Sequence, residues 1–214
     1  CLMRHVKNNS IIGIARGRAV SSLIENLPIV QNKENITVTQ LIGNIKEDNS
    51  QLGVDNMVYE LASKLHAHEE HLYAPIIVGT AELKNAFMED KVCKNTYSII
   101  KNSDIAIVGI GAAKKQWKYL MSLYSQEDVR QRRWAKKVVG EVCTYFYDEN
   151  GNEVEPPFRD RIITVSHNDY KSIPIRIGVA GGVEKLDAIR GAVLGGYINV
   201  LVTDKKVAEK LLEN

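Results

Sequence analysis

The sequence has little cysteine: three residues in 214, at Cys1, Cys93 and Cys143. An odd number with no Cys-x-x-Cys pair argues against a disulfide framework or a thiolate zinc site, and a reducing cytoplasmic setting is expected. Long apolar runs are also missing. Stretches such as Ile11 to Ala15 and Ile105 to Ile110 fall far short of the roughly 20 residues that cross a bilayer, so no membrane partner is expected. Charge of either sign is not in excess: 28 Lys and Arg against 26 Asp and Glu leave +2. That balance is too even for a bulk electrostatic grip on nucleic acid. The start holds Arg4, His5 and Lys7 with no apolar core behind them, so no secretory leader is expected. The chain opens on Cys1 rather than methionine and reads as a piece of something longer, with a partner domain missing.

What is present suits one globular domain, at 44% hydrophobic residues. Short β-type runs alternate with amphipathic stretches. Ile11 to Ala15 predicts a strand, followed by a helical pattern through Val20, Leu23, Ile24 and Leu27 that Pro28 stops. Ile36 to Ile42 predicts a second strand. Val54, Met57, Val58, Leu61 and Leu65 recur three and four apart and predict a helix with Asp55 in its first turn. Tyr73 to Val78, Ile105 to Gly111, Val142 to Tyr147, Ile162 to Val165, Ile175 to Ala180 and Ile198 to Val202 predict further strands. Helices are predicted around Ala81 to Met88, from Glu127 to Val139, after Gly181-Gly182 through Leu194, and after Asp204 as cap. The alternation implies an α/β fold: a Rossmann-like, mostly parallel sheet flanked by helices. Such sheets bind ligands at the carboxyl ends of their strands, where the strand order reverses.

Three strand ends carry glycine. Ala15-Arg16-Gly17-Arg18-Ala19 offers a tight turn, a helix N-terminus and two cations; Gly109 and Gly111 end another strand. Val179-Ala180-Gly181-Gly182-Val183-Glu184-Lys185 places a lysine in a first helical turn, where the dipole disfavours it unless an anion faces it. Neither the dinucleotide fingerprint nor the phosphate-loop lysine motif occurs. Together the three ends suggest a small, phosphate-sized anion held by backbone amides.

The run from Gly178 to Ile189, then Gly195-Gly196-Tyr197-Ile198-Asn199-Val200-Leu201-Val202-Thr203-Asp204, closely resembles the end of the sugar-binding domain of SorC/DeoR-type bacterial transcriptional regulators. Asp104 to Gly111, Gly140-Glu141-Val142-Cys143 with Tyr145-Phe146-Tyr147-Asp148, and Gly13 to Val20 resemble the family's earlier blocks in order and spacing, over essentially the whole chain. The resemblance implies the ribose-phosphate isomerase and glucosamine-phosphate deaminase fold. It implies a phosphorylated sugar as effector, self-association (a dimer of this domain, a tetramer for the intact protein) and no cofactor. DNA would be met only through an N-terminal helix-turn-helix domain that this chain lacks. Residues 1–214 would then be the effector-binding and oligomerisation domain. Residue by residue, the resemblance puts Gly17, Arg18 and Ala19 at a phosphate-facing loop and Gln40 near the ligand. Gly109 and Gly111 would line the cleft, Glu141 would accept sugar hydroxyls, and Lys185 with Gly181 and Gly182 would meet phosphate. Ala19 departs from the family's hydroxyl residue, and the Leu41 to Gly43 segment lacks an arginine seen in members with bisphosphate effectors. A monophosphate is therefore expected, with Arg16 or Arg18 as a substitute at the first loop.

Other readings compete. His66, His68 and His71, with Glu69 and Glu70, look metal-like, yet they close an amphipathic helix and no second ligand pair is evident, so no metal is expected. The basic stretch Arg130 to Lys137 with Trp134 reads as a solvated helix face or subunit contact. Trp117, Tyr119 and Tyr124 fall in a segment that suits either a lid or an interface. An isomerase or deaminase would need a general base near the central strand, but Gly109 to Lys114 contains no carboxylate, so catalysis is not expected. A pure oligomerisation module with a degenerate pocket is the third alternative.

Overall fold

Ile105 to Val108 offer no polar face to water, and in the computed structural model of the chain all four are buried. Such a run suits the middle of a parallel sheet covered on both sides. The structure describes residues 1–30, 33–45, 53–113 and 134–213. Their main sheet has six parallel strands: β1 (Ile11–Ile14), β2 (Thr37–Gln40), β3 (His68–Glu70), β4 (Ile105–Gly109), β8 (Ile175–Val179) and β9 (Val200–Val202). The order is β3-β2-β1-β4-β8-β9, so the winding reverses between β1 and β4. A smaller antiparallel sheet is formed by β5 (Gly111–Ala112), β6 (Gly140–Val142) and β7 (Tyr145–Tyr147).

Seven helices flank these strands among the described residues: α1 (Arg18–Glu25), α2 (Val54–Leu65), α3 (Ala81–Glu89), α4 (Lys91–Ile100), α5 (His167–Ser172), α6 (Leu186–Leu194) and α7 (Lys205–Leu212). The apolar stripe read from Val54 to Leu65 is fully buried, and α2 packs on β1, β2 and β3. Lys64, in its last turn, donates from Nζ to the carbonyls of Glu25 (2.6 Å) and Leu27 (2.8 Å), tying α2 to the end of α1. Asp204 caps α7 as read, accepting from the Val207 amide at 3.1 Å. Buried tyrosines join the two sheets to their helices: the Tyr147 hydroxyl donates to the Ala188 carbonyl (3.0 Å) and the Tyr170 hydroxyl to that of Tyr197 (2.7 Å).

Several expected elements differ. Ile105 to Gly111 is two strands in two sheets, with Ile110 alone between them. Val142 to Tyr147 is a hairpin, because Cys143 (φ 50°) and Thr144 (φ 67°) both turn into the left-handed region. Tyr73 to Val78 and Ile162 to Val165 make only isolated bridges, such as Asn44 with Pro75 and Ile77 with Ile162; Pro75 has no amide for a ladder. The edge strand is instead His68–Glu70, whose polar side chains suit an exposed edge. The helix expected to run on to His71 stops at Leu65, with His66 left-handed at φ 49°. Helices α4 and α5 were not expected; Asp90 caps the first through the Val92 amide (2.9 Å) and Ser166 the second through that of Asp169 (3.1 Å). A 3-10 turn at Val183–Lys185 precedes the helix expected directly after Gly182. Of the basic helix expected from Glu127 to Val139, only Trp134–Lys137 is a described turn, again 3-10, and residues 127–133 lie outside the described residues. The aromatic segment with Trp117, Tyr119 and Tyr124 also lies outside them.

The loop after β2 is set by contact rather than by conformation. A Cβ on Gly43 would fall 2.6 Å from the Pro75 carbonyl, whereas one on Gly79 would meet nothing within 4 Å. Gly43→Ala is therefore expected to cost about 1–3 kcal/mol, which thermal unfolding would register as a loss of roughly 3–10 °C. Gly79→Ala should stay within about 0.5 kcal/mol; equal behaviour of the two variants would refute the contact.

Candidate functional site

The reversal between β1 and β4 is the switch point at which open α/β sheets bind ligands, at the carboxyl ends of their strands. Two glycines set its width. The Ala15 amide still donates to the Ile107 carbonyl at 3.0 Å, and beyond it the backbones of Gly17 and Gly109 touch. A Cβ on Gly17 would sit 3.3 Å from the Gly109 Cα, and one on Gly109 would sit 3.3 Å from the Arg16 carbonyl oxygen. No side chain larger than hydrogen passes there without displacing backbone.

From Gly109 the chain crosses Ile110 into β5, where Gly111 lies opposite Glu141 of β6. Glu141 Oε1 accepts from the Thr144 amide at 2.8 Å, across the left-handed turn. Burial pushes the Glu141 carboxyl above its ordinary pKa, while the Thr144 amide and the charges of Arg16 and Lys185 pull it back down. Lys185 Nζ donates to the Ile110 carbonyl at 2.8 Å, so the lysine spans from the start of α6 to the link between the two sheets. Gly17, Gly109, Gly111, Glu141 and Lys185 are thus brought together, and Arg16 joins them. Cations close to a carboxylate can hold an oxyanion and a hydroxyl-bearing body at once.

The other expected residues are placed differently. Arg18 is exposed at the first position of α1. Ala19 packs partly on the core and borders a separate cavity of about 510 Å³, with Gly181 and Asp204 on its far wall. The Gly182 amide donates to Asp204 Oδ2 at 2.7 Å, and that carboxyl is held below the usual range by the amides of Gly182 and Val207. A carboxylate of the chain itself therefore occupies the Gly181-Gly182 turn. Gln40 is fully buried; its Nε2 donates to the carbonyls of Ile42 (2.9 Å) and Leu72 (3.3 Å) and to Asn44 Oδ1 (3.2 Å), and its Oε1 has no partner among the described residues.

Sequence reasoning passed over Thr144, which fixes Glu141, because a left-handed Cys-Thr pair has no turn signature. It took Asp204 as a cap only, and the signal for its second role was an acidic cap two residues beyond a strand beside a Gly-Gly strand end. His68 on β3 is separated by the strand from His71, whose Nε2 lies 3.1 Å from Glu69 Oε2. Among the described residues no group of three His, Cys, Asp or Glu is arranged to hold a metal, and no helix is long and apolar enough to cross a membrane.

A sequence-family model described as "Putative sugar-binding domain" matches residues 1–213. The chain is 31% identical over 212 residues to the sorbitol operon regulator of Klebsiella pneumoniae, covering 98% of this chain and 67% of that protein. It is 26% identical over 209 residues to the deoxyribonucleoside regulator of Bacillus subtilis, covering 98% and 66%. The crystal structure of the full-length sorbitol operon regulator SorC from Klebsiella pneumoniae superposes with a TM-score of 0.89 at 30% identity, covering 99% of this chain and 69% of that one. The chain spans about two thirds of the length of these curated relatives. With the family match running from end to end and the same sheet recurring in the SorC structure, this chain belongs to the family of sugar-binding domains carried by SorC-type regulators.

Proposed function

We propose that residues 1–214 form the effector-sensing and oligomerisation domain of a transcriptional regulator of sugar metabolism, working in the cytoplasm. The effector is a phosphorylated sugar, a monophosphate by preference. The domain pairs as a dimer, the intact protein forms a tetramer, and DNA is bound through a helix-turn-helix domain preceding this segment. The names of the relatives, a sorbitol operon regulator and a deoxyribonucleoside regulator, support this reading. One observation carries it: Arg16 and Lys185 both act on the Glu141 carboxylate at the reversal between β1 and β4.

Phosphate is assigned to Lys185, with the backbone of Gly17, Gly109 and Gly111 close enough for direct approach. Arg16 or Arg18 substitutes for the hydroxyl that Ala19 lacks. Glu141 accepts sugar hydroxyls, and Gln40 fixes the end of β2 beside them. Gly181 meets the phosphate with Lys185, and Gly182, whose amide Asp204 holds, shapes the turn that presents them. The domain reads its ligand without converting it: isomerisation needs an acid and a base flanking the sugar carbonyl, and Glu141 stands as one carboxylate between cations. Signalling follows if the ligand binds one arrangement of loops or subunits better than another, because only differential affinity shifts an equilibrium.

Thermal unfolding against sugar monophosphates, bisphosphates and parent sugars tests this directly. A ligand at about a hundred times its Kd adds about 2.7 kcal/mol. A rise with a phosphosugar that its parent sugar does not match is expected; no rise with any phosphosugar would leave a degenerate pocket. Lys185→Ala should weaken the phosphosugar roughly 10- to 100-fold, the worth of a charge-assisted hydrogen bond, and the parent sugar hardly at all. Equal losses for both would remove Lys185 from the phosphate. For Glu141, the folded-state pKa is raised, so the protonated form is the one that folding favours. Its ionisation costs stability as pH rises from the unfolded pKa through the folded one. Glu141→Gln should therefore make the ligand-free chain more stable than wild type at pH 7, with the difference closing as pH falls through the carboxylate range, while selectivity among sugars drops. Melting curves at several pH values check the first part, and a stability gap that widens toward low pH would contradict it.

A further inference from the structure

A second cavity, of about 300 Å³, opens beside the β6–β7 hairpin, with Lys84, Tyr97, Tyr145, Arg159, Ser166 and His167 in its wall. None of these residues belongs to the cleft described above. Lys84 comes from α3 and Arg159 from the 3-10 turn Arg159–Arg161, and the two elements pack together. Burial and the Arg159 charge lower the pKa of the Lys84 ammonium, and Asp160 only partly offsets them. Among the described residues neither cation has a carboxylate within ion-pair distance. Two partly buried cations held side by side are unfavourable until an anion joins them.

Arg159 is also oriented in advance. Its guanidinium carbon lies 3.8 Å from the Tyr145 ring centroid, and Nη1 donates to the Thr144 carbonyl (3.2 Å) and hydroxyl (3.3 Å). Both bonds come from one nitrogen, so the rest of the planar fork is left to grip an oxyanion. The carboxylate that also faces this cavity, Glu153, is bound to His167 Nδ1 at 2.6 Å. Tyr97 and Ser166 are engaged with each other and with Asp169, so they form wall rather than grip.

We propose that this cavity is a second binding site, for a small oxyanion held by Lys84 and Arg159, and that it communicates with the cleft through the Cys143-Thr144 turn. The Thr144 amide holds Glu141, while the carbonyl and hydroxyl of the same residue hold Arg159. An oxyanion that draws Arg159 toward Lys84 loosens its grip on Thr144 and so changes how Glu141 is held. This coupling rests on the sugar-phosphate reading of the cleft; the site itself does not.

The test is thermal unfolding of the chain with inorganic phosphate and with malonate, against sodium chloride at matched ionic strength. The wild type, Lys84→Met, Arg159→Lys and Lys185→Ala are compared. At about a hundred times Kd the specific anion should raise Tm by roughly 5–10 °C. The rise should survive in Lys185→Ala, shrink in Arg159→Lys, which keeps charge but loses the fork, and vanish in Lys84→Met. Lys84→Met should meanwhile melt higher than wild type without anion, because the repulsion is gone. A response to phosphate alone or to malonate alone names the ligand as phosphate or carboxylate. A rise lost in Lys185→Ala but kept in Lys84→Met puts the anion in the cleft and overturns the site, as does the absence of any rise beyond sodium chloride. For the coupling, saturating anion should change phosphosugar affinity about fivefold or more in the wild type and not in Lys84→Met; an unchanged wild-type affinity overturns that part alone.

Discussion

Backbone contact between Gly17 and Gly109 governs the rest of the site. It lets the carboxyl ends of β1 and β4 approach more closely than a side chain at either position would favour, at the point where the winding of the sheet reverses. The residues that flank the contact inherit their positions from it. Arg16 precedes Gly17, and Ile110, whose carbonyl receives Lys185, follows Gly109. The two cations follow β1 and β8 and the carboxylate stands within β6, so three separate strands supply the charged groups around the glycine pair.

Around that contact the chain accepts local cost. Glu141 is buried enough to resist ionisation, yet it is presented with cations and with the amide of a strained turn. Gly182, by contrast, is fully satisfied by Asp204. The two ends of the cleft therefore differ in kind. On one side a carboxylate is offset by Arg16, Lys185 and the Thr144 amide, and on the other the Gly182 amide is held by an internal carboxylate. The cavity beside Arg159 differs again, with two like charges in its wall. Glu141 and Arg159 meet at Thr144.

What the sequence made legible is what periodicity and punctuation encode. The stripe from Val54 to Leu65, the apolar run at Ile105, the glycines at three strand ends and the Asp204 cap all stand where they were read. What stayed hidden depends on long-range partners. His68 to Glu70 pair as a strand only because β2 lies alongside, against their own polar composition. Cys143 and Thr144 turn left-handed without glycine or asparagine. Helix α4 buries only Cys93, Thr96 and Ile100, too few apolar positions to announce a helix. At the site, the glycines and Lys185 were visible as strand-end chemistry. Glu141 was visible only through family resemblance, because its partner Gly111 is brought opposite it by a sheet whose central hairpin carries no turn signal. The engagement of Gly182 by Asp204 links residues 22 apart, and its only sequence signal is an acidic cap that follows one strand beside the glycines that follow another.

The Cys143-Thr144 turn also bears on how the domain assembles. Two side-chain-bearing residues in the left-handed region oppose the hairpin by about 1–2 kcal/mol each. The turn therefore opposes the pairing of β6 with β7 rather than promoting it. Its turn is held from outside, by Arg159 fifteen residues on and by Thr164, whose hydroxyl donates to the Cys143 carbonyl from 21 residues away. The small sheet thus depends on the segment that follows it, and it packs chiefly on α6. The turn that holds Glu141 therefore owes its conformation to side chains supplied from later in the chain.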